Sequence, residues 1–348
     1  MGRIIDVHHH ILPDEYVNAW RASGTIPPGL SPPQWSPLLD LEFMDRNGID
    51  AAILSLSAPG LAFADPTQTA ALARQTNDAC AAIRDAHPSR FGFFATLPLE
   101  NDHVLPALAE LARAFDVLHA DGVVLLTSYN NRYLGDAHFR PLWQALDARR
   151  AVVLVHPASP SPPKGGAAQQ QQQQQQNGAT AAAAAAAAVG MPAPILDFPH
   201  ETTRTAVHLI TANVVRDFPN VKLILSHGGG TLPFVAERIA NLAAEAGLPA
   251  DRGGGKSAEE FLRDARAFYF DLALTGFEGP MGLTLDFAAE GHVLYGSDFP
   301  FAKERTIKAQ LENVRKLERG EGVRASVESG AAERLFPRLA KGVGSEME

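Results

Sequence analysis

Eight short apolar runs, separated by stretches of helical periodicity, constrain the fold of this chain more than any other feature. Most of the runs are nearly continuously apolar, which is typical of parallel strands covered on both faces. Because strands that alternate with helices form βαβ units, eight of them predict an α/β fold with a closed (β/α)8 TIM-type barrel in one domain. An open, doubly wound sheet is the alternative. The predicted strands span residues 4–10, 51–57, 91–99, 122–128, 151–157, 221–229, 267–274 and 292–300, and the predicted helices span 66–86, 101–120, 139–149, 201–217, 231–246 and 280–289.

Two segments interrupt this alternation. Residues 11–36 are rich in Pro and Gly, so we expect them to delay the first helix, either as a surface excursion or as a lid over the carboxyl end of the barrel. Residues 159–194 contain uninterrupted Gln and Ala tracts without an amphipathic face, which predicts a disordered insertion after the fifth strand with no catalytic residues. The barrel domain should therefore span residues 1–340, followed by a frayed tail at 341–348.

The charge and the cysteine content exclude several classes of protein. With 30 Lys and Arg against 39 Asp and Glu, the net charge of −9 argues against a nucleic-acid-binding surface. No apolar run approaches the ~18 residues of a membrane span, and the N-terminal residues show no secretion-signal pattern. Cys80 is the only cysteine, which excludes internal disulfides and cysteine-based zinc clusters. We therefore expect a cytoplasmic protein that binds neither nucleic acid nor a membrane.

Ionisable side chains stand at the ends of four predicted strands. His8 and His10 end the first strand, and because side chains alternate along a strand, both point to the same side. His156 ends the fifth strand, His227 the sixth and Asp298 the eighth. A closed barrel gathers the carboxyl ends of its strands around one mouth, where this architecture builds active sites. Three neutral imidazoles and one carboxylate suit a divalent ion such as zinc or manganese, while hydrogen-bonded core polar groups are the alternative.

The motifs around these residues are Asp-x-His-x-His in the first strand, His-Pro at the fifth, Ser-His-Gly-Gly-Gly at the sixth and Gly-Ser-Asp-Phe-Pro at the eighth. Together they resemble the amidohydrolase superfamily and, within it, the aminocarboxymuconate-semialdehyde decarboxylase branch. The similarity spans residues 5–336 apart from the low-complexity insertion. The segments Asp-Val-His-His-His, Pro-His-Glu-Thr and Phe-Gly-Phe-Phe-Ala are most similar to fungal 6-methylsalicylate decarboxylases.

The resemblance implies one divalent metal ion, zinc in the first instance and manganese as the alternative. The matching positions make His8, His10, His156 and Asp298 the metal ligands, and make His227 the acid/base residue beside the metal. The larger superfamily often carries a carbamylated lysine at the fourth strand. Residues 122–128 contain no Lys, so we expect a single ion rather than a binuclear site.

An arginine is the expected contact for the substrate carboxylate. The family places it eleven residues after the histidine of the sixth strand, where it reaches a substrate across a dimer interface. Arg238 occupies that position here, which implies a homodimer, and a solvated helix residue is the alternative. Residues 35–46 contain no convincing counterpart of the second arginine used by the semialdehyde decarboxylase, which favours a monocarboxylic aromatic acid as substrate.

The activity implied by the resemblance is that of a carboxy-lyase acting on a salicylate-type acid such as 6-methylsalicylate. This reaction requires a proton at the ring carbon and stabilisation of developing charge, and a metal ion in a barrel mouth can orient the substrate for both. Either Asp298 delivers the proton, or His227 does so through a water molecule, and the sequence leaves both open. A metal-dependent hydrolase of a lactone or amide, or a non-catalytic binding protein, are the alternative functions.

Overall fold

Eight parallel strands form one sheet whose spatial order follows the chain in the computed structural model, which describes residues 2–26, 31–100, 104–159, 190–246 and 255–340. Backbone hydrogen bonds from Val7 N to Tyr295 O (3.0 Å) and from His10 N to Phe299 O (2.7 Å) join the last strand and its continuation to the first. The predicted (β/α)8 barrel is thus confirmed, and the open sheet is wrong. The strands are β1 (Ile5–His10), β2 (Ala51–Ser55), β3 (Phe91–Thr96), β4 (Gly122–Leu126), β5 (Val152–His156), β6 (Lys222–Leu225), β7 (Tyr269–Asp271) and β8 (Val293–Leu294).

Helices surround the barrel, and each of the six predicted helices has a counterpart with shifted ends. Among the described residues, no helix is both long and apolar enough to cross a membrane. The helices are α1 (Asp14–Ala22), α2 (Pro37–Asn47), α3 (Thr69–Ala86), α4 (Val104–Asp116), α5 (Arg140–Ala148), α6 (Ala193–Thr211), α7 (Val214–Asp217), α8 (Leu232–Glu245), α9 (Ala258–Arg266), α10 (Glu278–Phe287), α11 (Glu304–Arg315), α12 (Glu321–Ala325) and α13 (Ala331–Leu335).

The segment at residues 11–36 contains helix α1, so the expectation that this segment delays the first helix is wrong. Two acidic residues occupy the first turn of α1, where they favour the positive end of the helix dipole. Tyr16 and Trp20 lie one turn apart on the same face and are buried against Leu56 and Leu61, which follow strand β2. Helix α1 therefore packs over the carboxyl end of the barrel rather than forming a loose surface excursion.

Helix α6 begins inside the segment that was expected to be a disordered insertion, so the predicted boundary at residue 194 is wrong by two residues. The helix starts at Ala193 and tolerates Pro194 in its first turn, because the first backbone N–H groups of a helix have no intrahelical acceptor. The rest of the insertion, residues 160–189, lies outside the described residues, as does the predicted tail at 341–348.

Helix α2 has well-formed ends, and it brings a buried carboxylate, Asp40, against strand β1. The Ser36 side chain accepts a hydrogen bond from Leu39 N, Pro37 follows in the first turn, and Gly48 ends the helix in the left-handed conformation at φ 66°. These are strong start and stop signals for a helix. Asp40 is fully buried, which the pattern of the sequence did not indicate.

Alternating apolar side chains fill the barrel interior, while the other faces of the strands pack against the helices. The interior cluster is closed at the amino end of the strands by residues that follow helix α13. Its members include Ile5, Val7, Ile53, Val124, Leu154, Ile224, Phe336 and Leu339. Polar side chains replace this apolar filling only at the carboxyl ends of the strands, and the candidate site is built there.

Candidate metal centre

Five buried ionisable side chains meet at the carboxyl end of the barrel, as the sequence predicted. His8 and His10 lie in β1, His156 ends β5, and His227 and Asp298 follow β6 and β8. One ligand atom from each of His8, His10, His156 and Asp298 lies within 4.8 Å of the other three, and all four residues are buried. The structure thus brings together the four residues that the sequence predicted as ligands.

The distances among these atoms are those of groups that share a cation. His8 Nε2 lies 3.1 Å from His10 Nε2, and His10 Nε2 lies 3.1 Å from Asp298 Oδ1. His8 Nε2 lies 3.6 Å from the same carboxylate oxygen. Two imidazole lone pairs at such a distance repel each other unless a proton or a metal ion lies between them. The donor set therefore fits a bound divalent cation.

Hydrogen bonds on the far side of each imidazole direct its Nε2 atom into the centre. His10 Nδ1 donates to the carbonyl oxygen of Ser55 at 3.2 Å, and His156 Nδ1 donates to that of Pro157 at 2.8 Å. A carbonyl can only accept, so Nδ1 carries the hydrogen and Nε2 keeps its lone pair in both rings. Outer partners of this kind set the tautomer and the ring orientation of metal-binding histidines.

Electrostatics at the centre also favour a cation. Burial, followed by repulsion from His10, holds the pKa of His156 well below its ordinary value, and burial likewise lowers the pKa of His10. Burial alone would raise the pKa of Asp298, but its close contact with His10 and the neighbouring imidazoles lower it. Neutral imidazoles beside an ionised carboxylate are the protonation states that a metal ion requires of its ligands.

His8 differs from the other two histidines of the centre because a second carboxylate contacts it. Burial lowers its pKa, but the charge and the hydrogen bond of Asp271, together with the charges of Asp298 and Asp6, outweigh burial and raise the pKa of His8 to about 9. Metal binding at Nε2 therefore competes with a proton that Asp271 stabilises, and it should release that proton.

His227 lies beside the four clustered residues, but it is outside their set of short contacts. Its Nε2 atom is 4.0 Å from Asp298 Oδ2 and has no hydrogen-bond partner among the described residues, although the atom is buried. Burial, and then repulsion from His8, lowers the pKa of His227 to about 4. His227 and Asp298 also adopt left-handed backbone conformations, with φ of 56° and 60°. Such conformations are uncommon for non-glycine residues and concentrate at functional sites.

Asp271 is a site residue that the sequence reasoning missed. It is the last residue of β7, is fully buried, and accepts a hydrogen bond from His8 Nδ1 at 2.9 Å. The predicted strand at 267–274 placed Asp271 in its middle, because Leu272, Ala273 and Leu274 follow it, whereas the observed strand ends at Asp271. A single carboxylate inside an apolar run was the available signal.

His9 points away from the centre, and strand β1 is not regular. The pairing register with β2 shifts between Asp6 and His9, so Asp6 and His9 share the outer side, which strict alternation would not allow. His9 Nδ1 lies 2.9 Å from Asp6 Oδ2, and its Nε2 lies 2.8 Å from Asp40 Oδ1. Asp6 Oδ1 in turn accepts hydrogen bonds from the backbone N–H groups of His8 (3.1 Å) and Ser297 (3.0 Å).

Arg238 is not part of the buried cluster. It lies on helix α8 and its side chain is exposed to solvent. Phe234, one turn before it, is 79% exposed, and Leu242, one turn after it, is 48% exposed. Within one chain, the structure therefore presents Arg238 in the middle of an exposed apolar stripe rather than at the barrel mouth.

The fold and the four clustered residues define a class of (β/α)8 proteins with a candidate metal site at the barrel mouth. The model of the Amidohydrolase family matches residues 5–338, and the chain belongs to this family.

The relatives of this chain include fungal proteins that carry decarboxylase names. Decarboxylase yanB of Aspergillus niger is 43% identical over 343 residues, which cover 96% of this chain and 88% of that protein. The 6-methylsalicylic acid decarboxylase of Penicillium expansum is 40% identical, with 97% of each chain covered. The recognition of the family from the strand-end motifs is confirmed.

Solved structures agree with this assignment of the fold. A crystal structure of an amidohydrolase II protein is 28% identical and superposes with a TM-score of 0.79, covering 96% of this chain and 99% of that one. The 5-carboxyvanillate decarboxylase of Sphingomonas paucimobilis is 24% identical with a TM-score of 0.77, covering 97% and 99%.

Proposed function

We propose that this chain is a metal-dependent, non-oxidative decarboxylase that removes CO2 from a salicylate-type aromatic acid such as 6-methylsalicylate. The observation that carries the proposal is the cluster of His8, His10, His156 and Asp298 at the barrel mouth. It occurs in a chain that is 40–43% identical, over nearly its whole length, to proteins named as decarboxylases. Two of those relatives are named for 6-methylsalicylic acid.

The four clustered residues would hold one divalent ion. Three imidazole nitrogens and one carboxylate oxygen suit zinc first, and manganese is the alternative. A dihydroxybenzoic acid decarboxylase from Polaromonas, 23% identical with a TM-score of 0.74 over 97% of each chain, was solved with bound manganese, so a metal analysis should measure both elements. When bound, the ion would act as a Lewis acid that orients an acidic substrate and stabilises the charge that develops on its ring.

Apolar side chains border the centre and suit an aromatic substrate. The ring of Phe301 contacts His10 edge-on with a centroid distance of 5.5 Å, and the ring of Phe198 lies 6.3 Å from that of His156. Such walls favour a planar apolar ring and limit the access of water to the reacting carbon.

The reaction consumes one proton, because the ring carbon that loses CO2 gains a hydrogen. At neutral pH the ionised Asp298 and the neutral His227 are both proton acceptors in the resting site. A substrate carboxylate placed beside His227 raises the pKa of its imidazole, as any neighbouring anion does. Nε2 of His227, which has no other partner among the described residues, would then take up a proton from solvent and give it to the ring carbon. Asp298 is the alternative donor.

Substitutions at His10 and His227 separate the ligand role from the acid/base role. His10→Ala should lose both the metal ion and the activity, whereas His227→Ala should retain the ion and lose about 10²–10⁴-fold in kcat. Metal content and turnover are measured on the same preparations. Loss of the ion from His227→Ala would make that residue a ligand, and unchanged turnover would assign proton delivery to Asp298.

We further propose that the protein is a homodimer in which Arg238 contacts the substrate carboxylate in the neighbouring subunit. The support is the exposed stripe of Phe234, Arg238 and Leu242 on helix α8, because a large exposed apolar side chain flanking an arginine is typical of an interface core. Phe234→Glu should give a monomer in light scattering, and Arg238→Ala should raise KM in a protein that remains dimeric. A wild-type monomer with normal turnover would refute both statements.

A further inference from the structure

One carboxylate, that of Asp271, contacts both a predicted metal ligand and the backbone of the proposed acid/base residue. Its Oδ2 atom accepts the hydrogen bond of His8 Nδ1 at 2.9 Å. Its Oδ1 atom accepts hydrogen bonds from His227 N at 3.1 Å and from Ala273 N at 3.0 Å. Asp271 and His8 are both fully buried, so solvent cannot replace these contacts.

We propose that Asp271 is a positioning residue that sets the tautomer of His8 and fixes the backbone of His227, and so couples metal affinity to the placement of the proposed proton donor. The inference rests on the proposed metal centre and extends it to a residue on strand β7. Asp271 does not reach the reacting atoms itself. It acts through His8 and through the peptide group of His227.

The tautomer of His8 depends on a partner that can only accept a hydrogen bond. An ionised carboxylate holds the hydrogen on Nδ1 and leaves the lone pair of Nε2 free for a metal ion. His8 Nε2 is the atom that lies 3.1 Å from His10 Nε2, so a hydrogen on this atom would block the centre.

The second contact matters because the backbone of His227 is in an uncommon conformation. His227 has a φ of 56°, and Gly228, Gly229 and Gly230 follow it with φ between 64° and 75°. Left-handed conformations persist at non-glycine residues only where surrounding contacts hold them. The hydrogen bond from His227 N to Asp271 is such a contact, and in this conformation His227 Nε2 lies 4.0 Å from Asp298 Oδ2.

Asparagine has nearly the same shape as aspartate but cannot satisfy the three donors that surround Asp271. If the amide oxygen accepts from His227 N and Ala273 N, the NH2 group faces His8 Nδ1 and drives the hydrogen of that ring to Nε2. If the amide is reversed, the NH2 group faces two backbone N–H groups. We expect the first arrangement, because the change of tautomer at His8 removes its single donor–donor mismatch, whereas the reversed amide faces two backbone N–H groups that cannot change.

The test compares metal affinity in the wild type and in the variants Asp271→Asn, Asp271→Ala and Asp264→Asn. Asp264 is the matched control, since it is a buried aspartate that accepts hydrogen bonds from Arg216 and Lys256 outside the metal centre. The apparent Kd for Zn²⁺ is measured by competition with a chelator, and the visible absorption spectrum of the Co²⁺-loaded protein reports the ligand geometry. Circular dichroism confirms that each variant is folded.

Asp271→Asn should weaken Zn²⁺ binding by about 10–100-fold and alter the Co²⁺ spectrum, which is the usual effect of removing the outer partner of a ligating histidine. Asp264→Asn should leave both unchanged. At saturating metal, Asp271→Ala should have a kcat about tenfold below that of Asp271→Asn, because only the alanine variant loses the acceptor of His227 N.

Two results would overturn the inference but leave the proposed function unaffected. The first is a wild-type Kd in Asp271→Asn, which would remove the role at His8. The second is equal kcat in the asparagine and alanine variants, which would remove the role at His227. A wild-type protein that binds no divalent metal would instead overturn the proposed metal centre, and this inference with it.

Discussion

The substitution Asp40→Asn should destabilise the protein strongly, although Asp40 lies outside the metal centre. Asp40 and His9 are fully buried, and Asp40 accepts hydrogen bonds from His9 Nε2 at 2.8 Å and from Trp35 Nε1 at 2.9 Å. The single carbonyl oxygen of asparagine can accept only one of these, so its NH2 group must face the other donor. The imidazole of His9 also loses one of its two neighbouring carboxylates.

The expected loss in the free energy of unfolding is about 3–5 kcal/mol, the usual cost of removing one partner from a buried ion pair. The matched control is Glu42→Gln on the same helix, because Glu42 is 53% exposed and its contact with Arg46 is 3.9 Å long. Surface pairs of this kind contribute at most about 1 kcal/mol. Urea unfolding with a chelator present measures both variants without a contribution from metal binding.

The pH dependence of this loss provides a second, independent test. Burial lowers the pKa of His9, but the charges and hydrogen bonds of Asp40 and Asp6 outweigh burial and raise it from 6.5 to about 10. The folded protein therefore holds this proton more tightly than the unfolded chain does. The resulting stabilisation is complete below pH 6.5 and is lost as the pH rises through about 10. The difference in stability between the wild type and Asp40→Asn should narrow over that interval. The ion pair of Asp40 and His9 would not be the source of stability if Asp40→Asn lowered the free energy of unfolding by less than about 1 kcal/mol at neutral pH. The same conclusion would follow if the difference in stability between the two proteins did not change with pH.

Two further predictions concern the segments beside the site. Gly230→Ala should cost more than about 2 kcal/mol and lower turnover, because a Cβ would lie 1.9 Å from the carbonyl oxygen of Pro199. The control is Gly24→Ala, at a similar φ of 67°, where a Cβ would meet nothing within 4 Å. This variant should show only the conformational cost of about 1 kcal/mol. Equal losses in the free energy of unfolding of the two variants, measured in urea, would contradict the predicted clash at Gly230. Replacing residues 164–190 by a short Gly/Ser link should leave turnover and the free energy of unfolding nearly unchanged. The reason is that loop-closure entropy varies by only about 0.6 kcal/mol per doubling of loop length. A loss of more than about 2 kcal/mol in the free energy of unfolding would contradict this prediction.

The barrel and the four clustered residues could be predicted from the sequence because both depend on one simple regularity. Buried parallel strands are apolar along their whole length, so an ionisable residue at the end of such a run is conspicuous. His156 and Asp298 were identifiable for that reason, and the closed topology then required them to meet. Asp271 did not stand out in this way, because the predicted strand continued through the apolar residues Leu272, Ala273 and Leu274, whereas the observed strand ends at Asp271.

The polar contacts behind the site could not be predicted in the same way. Strict alternation along β1 would place Asp6 beside His8, but the shift in pairing register places it beside His9 instead. The partner of His9 on its other side, Asp40, comes from helix α2, and pairing across 31 residues leaves no periodic signal in the sequence. Helix α1 was also missed. The prolines and glycines around it are typical of an irregular segment, so the helical spacing of Tyr16 and Trp20 was not recognised as a buried face.

The proposed metal-dependent decarboxylation is tested by measuring CO2 release from salicylate-type acids by protein of defined metal content. Metal-depleted protein is assayed with 6-methylsalicylate and related hydroxybenzoates before and after addition of Zn²⁺ or Mn²⁺, with a lactone as the comparison substrate. We expect no turnover without metal, and, with about one bound ion per chain, one CO2 and one decarboxylated ring for each acid consumed. CO2 release that persists in the metal-free protein, or lactone hydrolysis with no CO2 from any of the acids, would contradict the proposed metal-dependent decarboxylation.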